Sequence, residues 1–133
     1  MALRILVKPG EKVHLGTSNI IVVAEAVVTI IIEGTIPVLR DGDFLEAGTA
    51  DTPARKAYRA LQDIYLHSDV NAGRDSYFDS VRTLLHDLPS AADFVTQING
   101  HLASNEFYRA LKVGRSVVQL DEHAQSWAEI TTS

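Results

Sequence analysis

The feature that most constrains the fold is a change of hydrophobic periodicity near residue 52 of the 133-residue chain. Before it, short runs of β-branched and apolar residues alternate with turn residues, which is the pattern of short strands. After it, apolar residues recur every three or four positions, which is the pattern of amphipathic helices. We therefore predict an α+β fold, with a small antiparallel β-sheet subdomain in residues 1–50 and a bundle of three to four helices in residues 51–133, together one compact domain.

The predicted strands are separated by residues that favour tight turns. Pro9-Gly10, Gly16–Asn19 and Gly34-Thr35 interrupt the apolar runs, so we expect a meander of short strands. The run Thr29–Ile32 is apolar on both faces, and the short sheet has little chain of its own to cover both. We expect either the helical half or a second copy of the chain to cover it.

Four helical segments are predicted, beginning near Thr52, Asp75, Ser90 and Ser104. Asp51 or Thr52 can serve as the N-cap of the first helix, because a short polar side chain accepts a hydrogen bond from an unpaired N–H of the first turn. The first helix is expected to run to about His67. The tail from about Glu122 is expected to be loose, because chain ends are often poorly anchored.

Composition and charge narrow the functional classes. The net charge of −5 argues against a protein coated in basic residues, although it leaves room for a local basic patch. The chain has no cysteine, which excludes disulfides and thiolate chemistry and favours a reducing, cytoplasmic location. The opening Met1–Gly10 has no secretory signal, and the apolar stretch Ile20–Ile32 is too short for a membrane-spanning helix.

Motifs for catalysis or metal binding are missing from the sequence. The histidines stand too far apart to share one ion at helical spacing, and they are His14, His67, His86, His101 and His123. Asp41-Gly42-Asp43 lacks the later ligands of a calcium loop, so it is interpreted as an acidic turn. The chain has no glycine-rich phosphate loop and no nucleophile turn. We predict no enzymatic activity, no metal site and no cofactor.

One basic cluster stands out at the start of the first predicted helix. Arg55, Lys56 and Arg59 lie where the positive end of the helix dipole disfavours cations. Such cations need a counter-charge, and two sources remain open. One source is the phosphate backbone of a nucleic acid, which unpaired N–H groups and guanidinium groups bind together. The other is the preceding acidic stretch of the chain itself, namely Asp41, Asp43, Glu46 and Asp51.

Arg40 is a further candidate for a phosphate contact. It follows the apolar strand end Val38-Leu39, so it is expected to emerge at the edge of the sheet. The alternative is a structural ion pair with the neighbouring acidic turn, through Asp41 or Asp43.

Several segments of the first half resemble the FlbT family of flagellar regulators, and they occur in family order. These segments are Leu3–Glu11, Val38–Asp41, Thr52–Gln62 and Tyr65-Leu66. The block Thr52–Gln62 is the most specific of them, and the resemblance covers roughly residues 1 to 70. It implies a cytoplasmic regulator of flagellum assembly that associates with the 5′ leader of flagellin mRNA and alters its translation or decay.

The chain departs from that family in the middle of the sheet region. FlbT proteins usually carry a polar, basic turn where this chain has Val22–Val28, with Glu25 in place of the cations. This difference, with the acidic net charge, favours an alternative function. In that alternative the protein is an adaptor that binds flagellin or another flagellar regulator through its helical surface and does not contact RNA.

The first half is also similar to the small RNA-binding protein CsrA, whose sheet forms by strand exchange between two chains. The similarity rests on Gly10-Glu11 and on Val38–Phe44. It implies a homodimer in which the first strand and the arginine after the last strand together form the RNA surface. The matching positions here are Arg4, Ile5, Lys8, Leu39 and Arg40.

The combined hypothesis is a homodimeric repressor-type regulator that binds single-stranded or looped leader RNA, without a membrane partner. The residues expected to contact phosphates are Lys8, Arg40, Arg55, Lys56 and Arg59. The residues expected to shape a strand-edge platform are Arg4, Ile5 and Leu39.

Overall fold

The computed structural model describes the backbone of residues 2–132 and the side chains of residues 2–127. It confirms the predicted α+β class, because five strands come first and four α-helices follow. The strands are β1 Ala2–Val7, β2 Lys12–Leu15, β3 Ser18–Ile21, β4 Val28–Glu33 and β5 Val38–Arg40. The helices are α1 Pro53–His67, α2 Arg74–Asp87, α3 Ala92–Ala103 and α4 Phe107–Thr132. Short 3₁₀ turns lie at Asp41–Asp43, Ala47–Thr49, Val70–Ala72 and Pro89–Ala91.

The chain divides into two compact units. The first unit comprises the chain through Phe44 together with Leu66–Ser68, and the second comprises Leu45–Tyr65 and the chain from Asp69 onward. The strands therefore belong to the first unit, and nearly all helical residues belong to the second.

The strands of the first unit form two antiparallel sheets. One sheet pairs β1 with β4, with Arg4 opposite Ile31, and the other has the order β3–β2–β5. The predicted meander is therefore wrong for β1, which pairs with a strand that is distant in sequence. The predicted turn after β4 is confirmed at Gly34, whose φ of 108° is a conformation that side-chain-bearing residues rarely adopt.

The strands share one small hydrophobic core. Val7, Val13 and Val22 are its buried residues. Half-buried aliphatic residues surround them, and they are Ile5, Leu15, Ile20, Val28, Ile30 and Val38. Each of the five strands thus contributes apolar side chains to the same cluster, but most of those side chains keep some contact with solvent.

The sequence Asp41-Gly42-Asp43 forms a 3₁₀ turn after β5, in agreement with its interpretation as an acidic turn. His14, which is buried on β2, has its Nε2 atom 3.2 Å from Oδ1 of Asp41. The imidazole ring stacks on Phe44, with ring centroids 3.7 Å apart. The histidine therefore fixes the chain where β5 ends.

The helical spacing of α1 correctly predicted its buried face. Ala57, Ala60, Leu61 and Ile64 are all buried. Thr52 caps the helix as predicted, since its Oγ1 atom accepts a hydrogen bond from the backbone N–H of Arg55 at 3.1 Å. The other helices bury Tyr77, Val81 and Leu84 of α2, Val95 and Ile98 of α3, and Ala110, Leu111 and Val117 of α4.

Helix α4 is longer than predicted. It continues to Thr132, so the segment from Glu122 onward is helical where the structure describes it. Glu122 is held by an ion pair with Arg55 of α1, and Gln125 donates a hydrogen bond to Asp121 one turn earlier. No helix within the described residues is both long and apolar enough to cross a membrane.

Candidate nucleic-acid interface

The eight residues predicted to contact RNA lie in two different units. Arg4, Ile5, Lys8, Leu39 and Arg40 belong to the first unit. The second unit holds Arg55, Lys56 and Arg59. The two groups are therefore described separately, each by its own contacts.

The guanidinium group of Arg40 is engaged within the first unit. Its Nη2 atom donates to the backbone oxygen of Leu6 at 2.6 Å and to both carboxylate oxygens of Glu11, at 3.0 and 3.2 Å. The sequence analysis offered an ion pair with Asp41 or Asp43 as the alternative to a phosphate contact of Arg40. The structure shows an ion pair, but its partner is Glu11. This contact links β5 to β1, which belong to different sheets. The Arg40 side chain nevertheless remains 42% exposed.

Glu11 holds the turn between β1 and β2 together. Its Oε1 atom accepts a hydrogen bond from the backbone N–H of Lys8 at 3.0 Å, in addition to the bond from Arg40. The Lys8 backbone hydrogen bond, followed by the hydrogen bond and charge of Arg40, holds the pKa of Glu11 below its ordinary value. The carboxylate is therefore ionised at neutral pH and offsets one positive charge of this turn.

Two lysines flank Glu11 on the same turn. Lys8 and Lys12 are exposed, and neither ammonium group has an ion-pair partner among the side chains that the structure describes. The sequence analysis did not select Lys12, although its position directly after Glu11 at the start of β2 was a usable signal. Lys8, Lys12 and Arg40 together are called the turn surface below.

Ile5 and Leu39 do not expose a platform for RNA. Ile5 is half-buried against the core of the first unit, and Leu39 is only 3% exposed. Their side chains support the strands from inside, so neither offers a surface on which a base can stack. Arg4 is exposed and points to the opposite side of β1 from Ile5, because successive strand residues alternate between faces.

The arginines of the second unit are paired with carboxylates. Arg55 donates to Asp51 at 2.9 Å and to Glu122 at 3.2 Å, and the Glu122 bond, followed by the Asp51 bond, raises the pKa of Arg55. Arg59 lies 3.4 Å from Asp63 and donates to the backbone oxygen of Leu45 at 3.2 Å. The structural alternative is therefore confirmed for Arg55, because Asp51 supplies part of its counter-charge.

Lys56 differs from the two arginines beside it. It is exposed and has no ion-pair partner among the side chains in the described part of the chain. It borders a surface depression of about 380 Å³, which Arg59, Asp63 and Asp79 also line. The depression carries both charge signs, so it does not form a positive pocket for a phosphate.

The most specific block of the sequence, Thr52–Gln62, has a structural explanation. Gln62 is fully buried, and its side-chain amide donates to the Leu45 oxygen at 3.1 Å and accepts from the Leu45 N–H at 2.7 Å. Ala54 is buried beside the apolar positions already described. This block therefore serves mainly to cap α1, fill the core and fix the chain that enters the second unit.

Comparison with known proteins places these observations in a family. Residues 3–124 match the model of the family described as Flagellar protein FlbT. A "Probable flagellum biosynthesis repressor protein FlbT" of Rhodopseudomonas palustris (strain TIE-1) is 32% identical over 126 residues, which cover 95% of this chain and 99% of that protein. A protein of Bradyrhizobium diazoefficiens named "Probable flagellum biosynthesis repressor protein FlbT 1" is 33% identical over 132 residues, covering 98% and 90%.

A more distant relative is named without the word "Probable". The "Flagellum biosynthesis repressor protein FlbT" of Caulobacter vibrioides (strain ATCC 19089 / CIP 103742 / CB 15) is 23% identical over 128 residues, covering 92% of this chain and 88% of that protein. No solved structure matches the chain. These matches extend the similarity seen in the first 70 residues to the helical half, and they do not show a relation to CsrA.

Proposed function

The chain belongs to the FlbT family of flagellar proteins, and from this membership we propose that it regulates flagellin synthesis by binding the 5′ leader of flagellin mRNA. A regulatory role in flagellum biosynthesis follows from the family and its named repressors. In the proposed mechanism the bound protein covers a ribosome site or presents the message for decay.

The turn surface is the observation that carries the RNA contact. Lys8 and Lys12 lie at the turn between β1 and β2, neither with an ion-pair partner among the described side chains, and Arg40 of β5 bonds to Glu11 of that turn. Cations of this kind bind phosphate oxygens and supply the part of RNA affinity that does not depend on sequence. Glu11 lowers the net charge of the surface, which favours a few phosphate contacts on a single strand over a long duplex footprint.

The second unit contributes less to this proposal. Arg55 and Arg59 would have to exchange carboxylate partners for phosphates, and the gain from such an exchange is small. Lys56 is the cation of that group that a phosphate can reach without breaking an ion pair among the described residues. We therefore assign the main contact to the turn surface and a minor one to Lys56.

The test is titration of a labelled flagellin leader RNA with the protein at two ionic strengths. Three phosphate contacts give a log–log slope of roughly −2 against salt, at about −0.7 per phosphate. The double variant Lys8→Gln/Lys12→Gln is expected to bind at least several-fold more weakly and with a flatter slope. Glu11→Gln is expected to bind more tightly, because it removes the carboxylate that competes with phosphate.

The matched control is Lys112→Gln, which removes an exposed lysine of α4 that lies over the ring of Tyr108. It changes the net charge as a single turn-surface substitution does and should leave affinity nearly unchanged. Equal losses in Lys112→Gln and in either single turn-surface variant would show that only the overall charge matters. Salt-independent binding, or no binding by the wild type, would contradict the RNA proposal.

A second function is favoured by the exposed apolar residues of the first unit. Leu6, Val23, Val27 and Ile31 are each more than half exposed, and patches of this kind often mark protein contacts. In this function the chain is an adaptor for flagellin or another flagellar regulator. Charge reversal at Lys8 and Lys12, which breaks no ion pair among the described residues, separates the two functions: an adaptor keeps regulating with both reversed, while an RNA-binding regulator does not.

A further inference from the structure

Strand β4 has a free edge without the features that usually protect one. It pairs only with β1 among the described residues, so its other edge presents unpaired backbone N–H and C=O groups. Its six residues include no lysine, proline or glycine, and its single charge, Glu33, stands at the end. A long apolar strand edge of this kind readily pairs with another strand.

One face of the β1–β4 sheet packs on the core that it shares with the other strands, but its other face lies open to solvent. Its exposed face carries Leu6, Val27 and Ile31, which are 60%, 55% and 55% exposed. These three side chains are diagonal neighbours, since Leu6 lies opposite Thr29 in the register. The β1–β4 sheet therefore has both an open edge and an uncovered face, on which these three apolar residues stand among Arg4, Thr29 and Glu33.

We propose that β4 pairs antiparallel with β4 of a second copy of this chain, about a two-fold axis that passes beside Ile31. Residues directly opposite in an antiparallel pair face the same side of the sheet. The register must therefore pair odd-numbered residues with odd-numbered ones, and even-numbered with even-numbered, so that both copies keep their core side on one face. In this register Ile31 lies opposite Ile31 of the second copy, and Ile30 lies opposite Ile32. The product is a continuous four-stranded sheet with the order β1–β4–β4–β1.

The polar groups of β4 favour this register. Thr29 of each copy stands opposite Glu33 of the other, so a hydroxyl donates to a carboxylate at two symmetric positions. The neighbouring register, centred on Ile30, places each Glu33 opposite the apolar Val27 and loses both of these bonds. Like charges do not oppose each other in either register.

The same reasoning disfavours the free edge of β1. A symmetric β1 pair centred on Arg4 sets two guanidinium groups opposite each other, and one centred on Leu6 sets Arg4 opposite Lys8. Like charges directly opposite on a sheet are destabilising. A β1 pair centred on Ile5 avoids like charges but sets Arg4 opposite Leu6 and gains no polar pair, so only β4 is self-complementary, and this points to a second copy as the occupant of the β4 edge.

The first experiment measures mass by size exclusion with light scattering over a range of protein concentrations. The wild type is expected to be a dimer, and Ile31→Glu a monomer, because two carboxylates then meet on the two-fold axis. Ile21→Glu is the matched control, since Ile21 is 54% exposed on β3 of the other sheet, and it should remain dimeric. A wild type that stays monomeric at every concentration would overturn the proposal.

The second experiment tests the axis itself and does not depend on one variant. Ile31→Glu and Ile31→Lys, each made with Arg4→Gln because Arg4 lies opposite Ile31 on β1, are expected to be monomeric, with the circular dichroism of the wild type. Mixed in equal amounts they should form a heterodimer, because glutamate then lies opposite lysine. Variants that fail to pair when mixed, in a protein whose wild type is dimeric, would overturn the β4–β4 register.

Discussion

The two units of this chain bury their apolar residues to very different extents. The second unit holds most of the buried hydrophobic side chains, including the large residues Leu61, Ile64 and Tyr77 at 1%, 0% and 0% exposure. The first unit holds most of the exposed large ones, namely Leu3, Leu6, Ile21, Val23, Val27, Ile31 and Ile36. The comparison shows that the helices enclose a well-buried core, whereas the strands leave several large apolar side chains open to solvent.

The charges of the two units differ in a parallel way. Arg55 and Arg59 of the second unit are tied to Asp51, Glu122 and Asp63, so their charges are largely used inside the fold. In the first unit Lys8 and Lys12 keep free ammonium groups among the described residues. The exposed apolar side chains are therefore concentrated in the strands, whereas lysines without an ion-pair partner among the described residues occur in both units, Lys56 being one in the second.

The largest expected effect comes from truncating one leucine in each unit. Leu61→Ala removes a fully packed side chain and is expected to lower the free energy of unfolding by about 2–5 kcal/mol. Leu6→Ala removes a side chain that is 60% exposed and should change it by no more than about 0.5 kcal/mol. Urea unfolding followed by circular dichroism measures both. Similar losses in the two variants would remove the contrast between the units.

The next effect concerns the buried amide of the second unit. Gln62→Leu keeps the approximate volume but leaves the Leu45 N–H without its side-chain partner and the Leu45 oxygen with only its bond from Arg59. We expect a loss of about 1–3 kcal/mol in the free energy of unfolding. Gln97→Leu, on the exposed side of α3, is the control and should be nearly neutral. Equal effects from both substitutions would show that the hydrogen bonds between Gln62 and Leu45 contribute nothing specific to stability.

The smallest effect is the pH response of the turn in the first unit. The folded pKa of Glu11 lies below its ordinary value of 4.5, so its stabilising contribution is present above that value. It is lost as the pH falls through the lower, folded pKa, when the carboxyl protonates and its bonds to Lys8 and Arg40 weaken. An NMR titration of the Glu11 carboxyl carbon should show the lowered pKa. Arg40→Gln should bring it part of the way back, since the Lys8 bond remains; no change in that variant would contradict the role of Arg40.

Sequence patterns predicted the helical unit better than the strand unit for a physical reason. The positions that recur every three or four residues in α1 are local, so Ala57, Leu61 and Ile64 could be assigned to one face without knowing their partners. Pairing of β1 with β4 joins residues far apart in sequence, and the turn residues between β1 and β2 suggested a meander instead. Phe78 shows the limit of the helical rule, because it lies on the predicted apolar stripe of α2 and is 45% exposed.

The sequence likewise predicted some features of the candidate site and missed others. The sequence correctly marked Lys8 as exposed, and it left Asp51 open as one source of counter-charge for Arg55, which the structure shows in contact with it. It could not show that Arg40 contacts Glu11 and Leu6, because those residues meet only when two sheets come together. Leu39 was assigned to a surface, but the alternation of a three-residue strand does not reveal which face is covered.

The sequence by itself determined the α+β class, the positions of the turns and the capped start of α1, since these depend on neighbours within a few residues. It also carried the family resemblance. Only the tertiary structure decided which strands pair, which arginines are engaged by carboxylates and which apolar faces stay open to solvent. Those outcomes depend on contacts between distant segments, whose geometry a linear pattern of residues does not contain.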